Sequence, residues 1–554
     1  MGSSMDREIN TESIRALEKQ IEEGGGDTIK LKRARNSLLN ISTRVPPEIL
    51  GDIFTWTLVR QGGPASFLGP HFSGLCKGSY NFLLVCHHWF GVASRTPELW
   101  SFWGNTLQQW GKRHHYSRNV LLDLVLNGHA SDPESWLSGP LRDALRARTT
   151  QDTIRQVHLL SHNGELLSSV ISLLTPDEEY IQHKSIESID LRNWGTFISD
   201  VSRFFTCIRL PKLRSLFLHG VLKMPSWDHL VEQTTLLTTL SLDISEPSLT
   251  QSPTTELLSM LDSNPSLRVL SLGGFAIPED DGGWPTSQVS LRHLRKLHLA
   301  GELRCVFRLL NRLAFPDTLD SMVFTVPNST VEDLSQILKP RLRDYLRRDH
   351  MPQDKLVIKT HATRNHLLIR ISLVGEPPSQ SSFFVEVRTS LARRAPPSVV
   401  ENLCLDLIAF TPRGRVCHFD TNLPTNRLED LLFKMPNIKT LSLYRATVSN
   451  GFLQPNSHGP RAGTKLLPSL RSLYLENVTL TDDWGNLQTY LAHQTSDGQA
   501  ISLKIRGFSH LCPEVAQEIM DLVKGFDCYL KPVTECPFGR CGLSPVERSG
   551  RPDA

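Results

Sequence analysis

The stretch Leu267-Arg268-Val269-Leu270-Ser271-Leu272 decides the fold that this chain is expected to adopt. Leu270 and Leu272 alternate with other residues, so both lie on one side of an extended segment, as in a strand with one buried face. Other segments repeat this spacing, and the chain is therefore expected to contain a series of short strands. The clearest copies lie at 185–191, 213–218, 294–299, 438–443 and 470–475, and weaker copies end at Leu159, Leu242, Phe324, Leu405 and Ile505.

The last apolar residues of the first seven copies are regularly spaced. They occupy positions 159, 191, 218, 242, 272, 299 and 324, which are separated by 32, 27, 24, 30, 27 and 25 residues. Prolines precede several copies and would end a helix or loop before each strand. These prolines are Pro211, Pro265, Pro436 and Pro468. A period of roughly 20 to 30 residues with a leucine-rich strand resembles the leucine-rich repeat, in which stacked units share one parallel sheet.

The resemblance to leucine-rich repeats is a degenerate one, because the unit lengths vary and no regular asparagine follows the strand. A doubly wound dinucleotide-binding fold also alternates strands and helices, but no Gly-rich phosphate loop follows any of these strands. We therefore expect an α/β chain in which a helical N-terminal domain precedes an irregular leucine-rich-repeat-like solenoid with a parallel sheet. Binding residues are expected on the strand face or on the loops at one rim.

The repeat period lapses between residues 339 and 394. This window contains 12 Lys or Arg and 5 Asp or Glu, a net charge of +7. A predicted helix is followed by two strand-like runs, 355–359 and 367–374. One interpretation is a solvated insertion or a set of divergent repeats, and the other is a basic docking patch that grips an acidic or phosphorylated partner with arginine forks. The candidate docking residues are Lys339, Arg341, Arg343, Arg347 and Arg348.

The N-terminal part of the chain is predicted to be helical. Residues 11–41 carry apolar residues mostly three, four or seven apart around Gly24-Gly25-Gly26, which predicts two short amphipathic helices. These helices would pair with each other or with another chain. Pro46-Pro47-Glu48 then predicts a helix start, because proline fits the first turn and the carboxylate complements the helix dipole. A second helix is predicted from residue 80 to about residue 93, and a proline-started turn follows it.

Three blocks of this N-terminal part resemble the F-box, a family of small helical domains. They are Val45-Pro46-Pro47-Glu48-Ile49-Leu50, Leu83-Leu84-Val85-Cys86-His87-His88-Trp89 and Leu99-Trp100, in the order that the family shows. Val45 stands where the family usually has leucine, and the loop at 60–79 is longer than in the shortest members. The helical segment before the blocks is similar to the short coil that precedes the F-box in many fungal proteins.

In the F-box family, the helical unit docks onto the Skp adaptor of a cullin-based ubiquitin ligase. The resemblance implies that apolar side chains of this chain are buried in a groove of that adaptor. The implied contact residues are Val45, Pro46, Ile49, Leu50, Ile53, Leu84, Val85 and Trp89. A helical pair that packs only against itself is the alternative interpretation, since Trp89 and Trp100 on apolar faces usually indicate packing.

No catalytic or metal-binding motif stands out in the sequence. The 20 histidines form no His-Glu-x-x-His, and the chain contains no Gly-x-Ser-x-Gly, Walker loop or kinase signature. The candidate zinc ligands match no regular spacing. They are His510, Cys512, Cys528, Cys536 and Cys541. We therefore expect a chain that is not an enzyme and that binds neither a metal nor a cofactor.

Composition limits the location and the partners of the protein. The 554 residues carry a net charge of only +3, so no field of the whole molecule favours nucleic acid or an anionic membrane. Ten cysteines are too sparse for a disulfide framework, and no segment has the roughly 18 consecutive apolar residues that a membrane span needs. A cytoplasmic or nuclear protein is expected.

The domain prediction follows the composition and the motifs. A helical or coil segment at 1–42 precedes the F-box at 43–104, the repeat domain covers 118–530, and a disordered tail covers 531–554. The function implied by the resemblance is the substrate-recognition subunit of an SCF-type ubiquitin ligase, in which the repeat domain binds an unknown protein substrate. A ligase-independent F-box scaffold is the first alternative, and an enzyme hidden in a degenerate α/β fold is the second.

Overall fold

The structure is a computed structural model of the 554-residue chain. It describes residues 13–23, 27–39, 45–62, 87–104, 115–117, 119–128, 142–143, 145–147, 152–161, 164–174, 181–193, 199–200, 205, 208–223, 236–244, 254–274, 288–314, 316, 319–326, 355–362, 366–374, 382–390, 416–421, 424–425, 435–445, 447–448, 467–480, 485–495, 498, 500–507, 513–523 and 525–529. The chain divides into two compact units, Met1–Pro225 with Glu232–Leu236 and Ser226–Val231 with Leu237–Ala554.

The first unit begins with helices. Residues 13–22 are helical and precede α1 (Thr28–Leu39), as the apolar spacing predicts. Helix α2 (Pro47–Gly62) begins at the predicted proline and carries Glu48 in its first turn. Helix α3 (His87–Ser94) and a 3-10 turn (Pro97–Trp100) complete the helical part. The predicted start of the second helix at residue 80 lies outside the described residues.

A parallel sheet follows the helices in the first unit. Its strands are β1 (Phe102–Gly104), β2 (Leu122–Gly128), β3 (Ile154–Ser161), β4 (Ser188–Asn193) and β5 (Ser215–Lys223), and they pair in chain order. Helix α4 (Gly164–Leu174) lies between β3 and β4 in the sequence. Leu159 is paired with Leu191, and Leu191 is paired with Leu218, so the predicted repeat positions lie side by side. The sheet already starts with β1, before the predicted beginning of the repeats at residue 118.

The second unit contains a longer ladder of the same kind. Its first strands are β6 (Thr239–Ile244), β7 (Val269–Gly273), β8 (Lys296–Ala300) and β9 (Ser321–Thr325), all parallel and in chain order. Leu242, Leu272, Leu299 and Phe324 form one row across these strands. The predicted period is confirmed here at the level of register, since the positions separated by 30, 27 and 25 residues in the sequence are direct neighbours.

The segment in which the period lapses supplies three further strands to this ladder. They are β10 (Lys355–Ala362), β11 (His366–Val374) and β12 (Ser382–Ser390). Strand β12 pairs with β9 in parallel, and β11 is antiparallel to both β12 and β10. Strand β10 pairs in parallel with Val416–Thr421, the strand that follows β12 in the chain. Ile371 and Val385 are 3% exposed, so this segment continues the core of the sheet.

The last strands of the second unit return to the regular pattern. They are β13 (Val416–Thr421), β14 (Thr440–Tyr444), β15 (Ser472–Glu476), β16 (Ser502–Arg506) and β17 (Gly525–Tyr529), all parallel. The helices of this unit are α5 (Thr254–Asp262), α6 (Leu303–Arg312), α7 (Gly485–Thr495) and α8 (Pro513–Leu522).

Several two-residue strands accompany the main ladders. Ile181–Gln182 pairs with Ile208–Arg209, Ser199–Asp200 pairs with β5, Val289–Ser290 pairs with Leu313–Ala314, and Pro424–Thr425, Thr447–Val448 and Thr479–Leu480 pair in succession. Among the helices in the described ranges, none combines the length and the hydropathy that crossing a membrane requires.

Alternation along each strand separates a core face from a polar face. Leu270 is 0% exposed and Leu297 is 1% exposed, whereas Ser271 and His298 between the buried positions are half-buried. Full burial of one such leucine stabilises the fold by about 1.5–3 kcal/mol. Neighbouring repeats share this core, which is why a single repeat would not be stable alone.

Left-handed residues end consecutive strands of the second unit. Arg445, Asn477 and Gly507 follow β14, β15 and β16 with φ of 53°, 51° and 73°. The amide of Arg445 donates to the carbonyl of Glu476 at 2.8 Å, and the amide of Asn477 donates to the carbonyl of Arg506 at 2.9 Å. The same turn therefore recurs in three repeats although the residue at its left-handed position differs. Glycine and asparagine adopt this conformation at low cost, whereas other residues adopt it at a cost of about 1–2 kcal/mol.

Candidate protein-interaction surfaces

Helix α2, helix α3 and the 3-10 turn pack around a small apolar core. Its buried residues are Leu50, Phe54, Val92, Ala93, Leu99 and Trp100. The indole Nε1 of Trp100 donates a hydrogen bond of 2.7 Å to the carbonyl of Ala93, so the one polar atom of this large side chain is satisfied. The predicted turn that ends in Leu-Trp thus closes the helical pair.

Close approaches between the elements hold this core together. A Cβ atom at Gly51 would lie 3.0 Å from Oγ1 of Thr96, so glycine lets α2 approach the end of α3. The rings of Phe54 and Trp89 have centroids 5.0 Å apart at an angle of 55°, a favourable tilted arrangement. Trp100 makes a similar contact with Tyr116, with centroids 4.7 Å apart.

The eight residues that the F-box resemblance implies as adaptor contacts separate into three groups. Leu50 is 3% exposed and lies in the core, while Val45 and Trp89 are half-buried and pack against it. These three side chains stabilise the helical pair. Pro46, Ile49 and Ile53 are exposed. Leu84 and Val85 lie outside the described residues.

A stripe of three exposed apolar side chains runs along α2. Ile49 is 51% exposed, Ile53 is 48% exposed and Trp56 is 59% exposed. Positions four and then three residues apart lie on one helix face, so these side chains follow one another on successive turns. We call Ile49, Ile53 and Trp56 the α2 stripe. Sequence reasoning missed Trp56, although its distance of seven residues from Ile49 was a usable signal.

The polar face of the first unit carries an ion-pair network centred on Asp190. The side chain of Arg192 donates to both carboxylate oxygens, at 2.8 Å and 3.1 Å. Nδ1 of His158 lies 3.5 Å from Oδ2 of the same carboxylate. Asp190 is 1% exposed, and its two oxygens are both engaged. The network therefore supplies hydrogen-bond partners to a buried carboxylate.

A second polar cluster links three strands of the second unit. Nδ1 of His298 lies 3.0 Å from Oγ of Ser271, and Nε2 lies 3.1 Å from Oγ1 of Thr325. Serine-dependent catalysis places a carboxylate at one ring nitrogen to orient the base and stabilise the imidazolium, whereas both positions here face hydroxyl groups. The cluster orders neighbouring side chains on the sheet.

The predicted metal and basic sites fall largely outside the described residues. Of the candidate zinc ligands, only Cys528 is described, as part of β17. In the part of the chain that the structure covers, no group of three or more His, Cys, Asp or Glu is arranged to hold a metal ion. Lys339, Arg341, Arg343, Arg347 and Arg348 all lie in the undescribed segment 327–354.

A surface rich in tyrosine and basic side chains lies on the polar face of the second unit. We call it the tyrosine–arginine surface, and it consists of His418, Tyr444, Tyr474, Glu476, Lys504 and Arg506, from strands β13 to β16. The rings of Tyr444 and Tyr474 have centroids 5.3 Å apart, and His418 stacks on Tyr444 at 6.1 Å. The guanidinium of Arg506 lies 5.9 Å from the centroid of Tyr474, within the range of a cation–π contact.

The carboxylate of Glu476 already has a hydrogen-bond donor within this surface. The hydroxyl of Tyr474 donates a hydrogen bond to the Glu476 carboxylate. Desolvation and this hydrogen bond raise the pKa of Tyr474 to about 12. The phenol therefore remains a donor at physiological pH. Because the carboxylate already has a donor, it competes less with an incoming anion for the basic side chains around it.

The comparisons with known proteins leave the fold assignment to the structure itself. No family model matches the chain, and no curated protein matches it. One similar solved structure is the crystal structure of the APL1 leucine-rich repeat domain, which aligns with 76% of this chain and 92% of that chain at 13% identity. The TM-score is 0.26, so the alignment carries no argument about function. The large parallel sheet itself places the chain among mixed α/β, leucine-rich-repeat-like folds.

Proposed function

We propose that this protein is the substrate-recognition subunit of an SCF-type ubiquitin ligase. The helical part would bind the Skp adaptor and, through it, the cullin, while the repeat region would bind a protein substrate. The chain itself would perform no bond chemistry. It would hold a substrate lysine near a ubiquitin-carrying enzyme and so raise the effective concentration of the reacting groups.

The observation that carries the proposal is the division of apolar residues on α2. Leu50 and Phe54 fill the internal core, while Ile49, Ile53 and Trp56 remain exposed on a neighbouring face. Contiguous exposed apolar residues are typical of protein-interaction sites, and each side chain buried in a partner groove would stabilise a complex by about 1.5–3 kcal/mol. A helical pair that only packs against itself does not require this second apolar face.

The sequence blocks supply the second support. The three F-box-like blocks include the start of α2, the start of α3 and the end of the 3-10 turn. The internal core uses residues of the first and third blocks, Leu50 and Leu99-Trp100, so the blocks correspond to one folded helical unit. One folded helical unit before a repeat region supports the proposal of an adaptor-docking domain.

The test is co-expression of the full chain with the Skp adaptor and cullin of its source organism, followed by affinity purification. We expect wild type to retain both partners and Ile53→Asp to lose both, because the substitution would bury an unpaired carboxylate in the contact. The matched control is Ile29→Asp, since Ile29 is 63% exposed on α1 and lies outside the α2 stripe. Leu50 is a poor choice for this test, because a charge there would disrupt the internal core.

The outcomes separate the proposal from its nearest alternative. Retention of both partners by Ile53→Asp, with unchanged circular dichroism, would contradict docking through the α2 stripe. If wild type binds the adaptor but excludes cullin, the ligase-independent scaffold becomes the better explanation. If folded wild type binds neither, the adaptor-docking proposal is wrong.

A further inference from the structure

We propose that the tyrosine–arginine surface binds a glutamate- and aspartate-rich peptide segment of a protein partner. The surface lies within the second unit. Tyr444 and Tyr474 are half-buried in it, and Lys504 and Arg506 are exposed. The binding itself does not require the Skp adaptor. Only the identification of the bound segment as a ubiquitination substrate rests on the proposed function.

Charge favours an acidic partner. The described segments 435–445, 467–480 and 500–507 contain one acidic residue, Glu476, against five basic ones. The basic residues are Lys439, Arg445, Arg471, Lys504 and Arg506, and all five side chains are exposed. The flanking strands β13 and β17 each add one aspartate, so these three segments and the two flanking strands together retain a net charge of +2.

The arrangement of the side chains favours a peptide over a simple anion. Arg506 and Lys504 are two residues apart on β16, so both lie on the same side of the strand and would face carboxylates of one segment. Beside them, Tyr444 and Tyr474 form a half-buried pair of aromatic rings on the two preceding strands. Tyrosine and arginine together are typical of interaction hot spots, because they combine a large apolar contact area with polar anchoring.

The hydrogen bond that Glu476 already accepts favours the binding of carboxylates from a partner. Its carboxylate accepts the hydroxyl hydrogen of Tyr474, and Arg506 lies above the same tyrosine ring. The acidic residue within the surface thus already accepts a hydrogen bond from Tyr474. An incoming glutamate would meet Lys504 and Arg506 while its neighbouring apolar residues cover the tyrosine rings.

The test uses the purified full chain and a fluorescein-labelled synthetic peptide in which pairs of glutamates alternate with single leucines. We expect saturable binding by fluorescence anisotropy, weakened by added salt because the contacts are partly exposed ion pairs. Arg506→Glu should raise the Kd by about tenfold or more, which corresponds to at least ~1.4 kcal/mol. Tyr474→Ala should also weaken binding, through loss of the apolar platform.

Lys296→Glu is the matched control variant. It reverses one exposed charge on β8, in the same sheet but seven strands away along the ladder from β15. This variant should bind the peptide as wild type does, which separates a local site from an effect of net charge. Thermal unfolding of each variant checks that the second unit is intact.

Three results would overturn the proposal. They are the absence of binding by folded wild type, equal binding by Arg506→Glu, and equal binding of a peptide with lysines in place of the glutamates. None of these results depends on adaptor docking, which is measured separately by co-purification. Failure of the adaptor experiment with success here would leave an acidic-peptide-binding repeat protein outside the ubiquitin ligase.

Discussion

Gly220 lies directly against the backbone of Asn193, the last residue of the neighbouring strand β4. A Cβ atom at Gly220 would be only 2.0 Å from the Asn193 carbonyl oxygen, and the residue has φ of +66°. Two independent constraints therefore require glycine here, since a side chain would meet rigid backbone and would also be strained in the left-handed region.

Gly220→Ala is predicted to be much more destabilising than Gly498→Ala. Gly498 has φ of +74° but nothing within 4 Å of the position of its Cβ. An alanine there would therefore add only the strain of the left-handed backbone and no steric contact. We expect Gly498→Ala to lower the free energy of unfolding by about 1–2 kcal/mol and Gly220→Ala to lower it further, because strands β4 and β5 must separate. Urea denaturation followed by circular dichroism measures both. Equal losses would show that the close contact at Gly220 relaxes freely.

Trp56 and Trp100 are predicted to respond differently to substitution by alanine. Trp100 is 3% exposed and donates a hydrogen bond to Ala93, whereas Trp56 is 59% exposed. Trp100→Ala should lower the free energy of unfolding by about 3–5 kcal/mol, and Trp56→Ala should change it by less than about 1 kcal/mol. Thermal denaturation checks stability, and adaptor pull-down checks binding. Under the proposed function, Trp56→Ala should weaken adaptor binding without unfolding the chain.

Asn264 is predicted to be a strong point of stability between repeats. Its side chain is 0% exposed, accepts a hydrogen bond from the amide of Leu237 at 3.3 Å and donates one to the carbonyl of Met260 at 2.9 Å. Asn264→Ala should lower the free energy of unfolding by about 1–3 kcal/mol, because it leaves a buried amide hydrogen without its acceptor. Asn437→Ala is the control, since Asn437 is exposed. Similar urea midpoints for the two variants would contradict this role.

The titration of Tyr474 predicts a loss of stability at high pH. Desolvation and the hydrogen bond to Glu476 raise its pKa from 10.0 to about 12 in the folded protein. The folded state therefore holds this proton more tightly than the unfolded state, so the contribution is complete below pH 10 and is lost as the pH rises towards 12. Ultraviolet difference spectra should show a late-titrating phenolate that disappears in Tyr474→Phe. Identical spectra for the variant and wild type would contradict the assignment.

The repeat region was predictable in its leucine-rich strands and in their order. Strands β12, β13 and β17 matched no predicted copy, and the predicted copy that ends at Leu405 lies outside the described residues. Leu272 and Leu299 could be aligned from spacing alone, and the structure pairs them directly. The two strand-like runs at 355–359 and 367–374 were visible in the sequence, but the reversal of strand β11 was not predictable, because alternation of apolar residues reports which face is buried and not the direction of the strand. Asn264 was also missed, since a buried asparagine has the same sequence signature as one in a surface turn.

The helical part was predictable in its elements but not in its surfaces. Ile49 and Leu50 both fit an apolar helix stripe, and both were implied as adaptor contacts. The structure buries Leu50 and exposes Ile49. This difference depends on where α3 and the Pro97–Trp100 turn pack against α2, which helical spacing does not determine.

By itself, the sequence determined the period, the positions of the leucine-rich strands and the proline start of α2, because alternation, helical spacing and proline geometry act within a few residues. The tertiary structure alone decided which side chains share a surface. Tyr444, Tyr474 and Arg506 are 30 and 32 residues apart in the chain and meet because parallel pairing brings equivalent ends of successive strands together. Which of these side chains become neighbours depends on strand order and loop length, and local sequence patterns do not specify either.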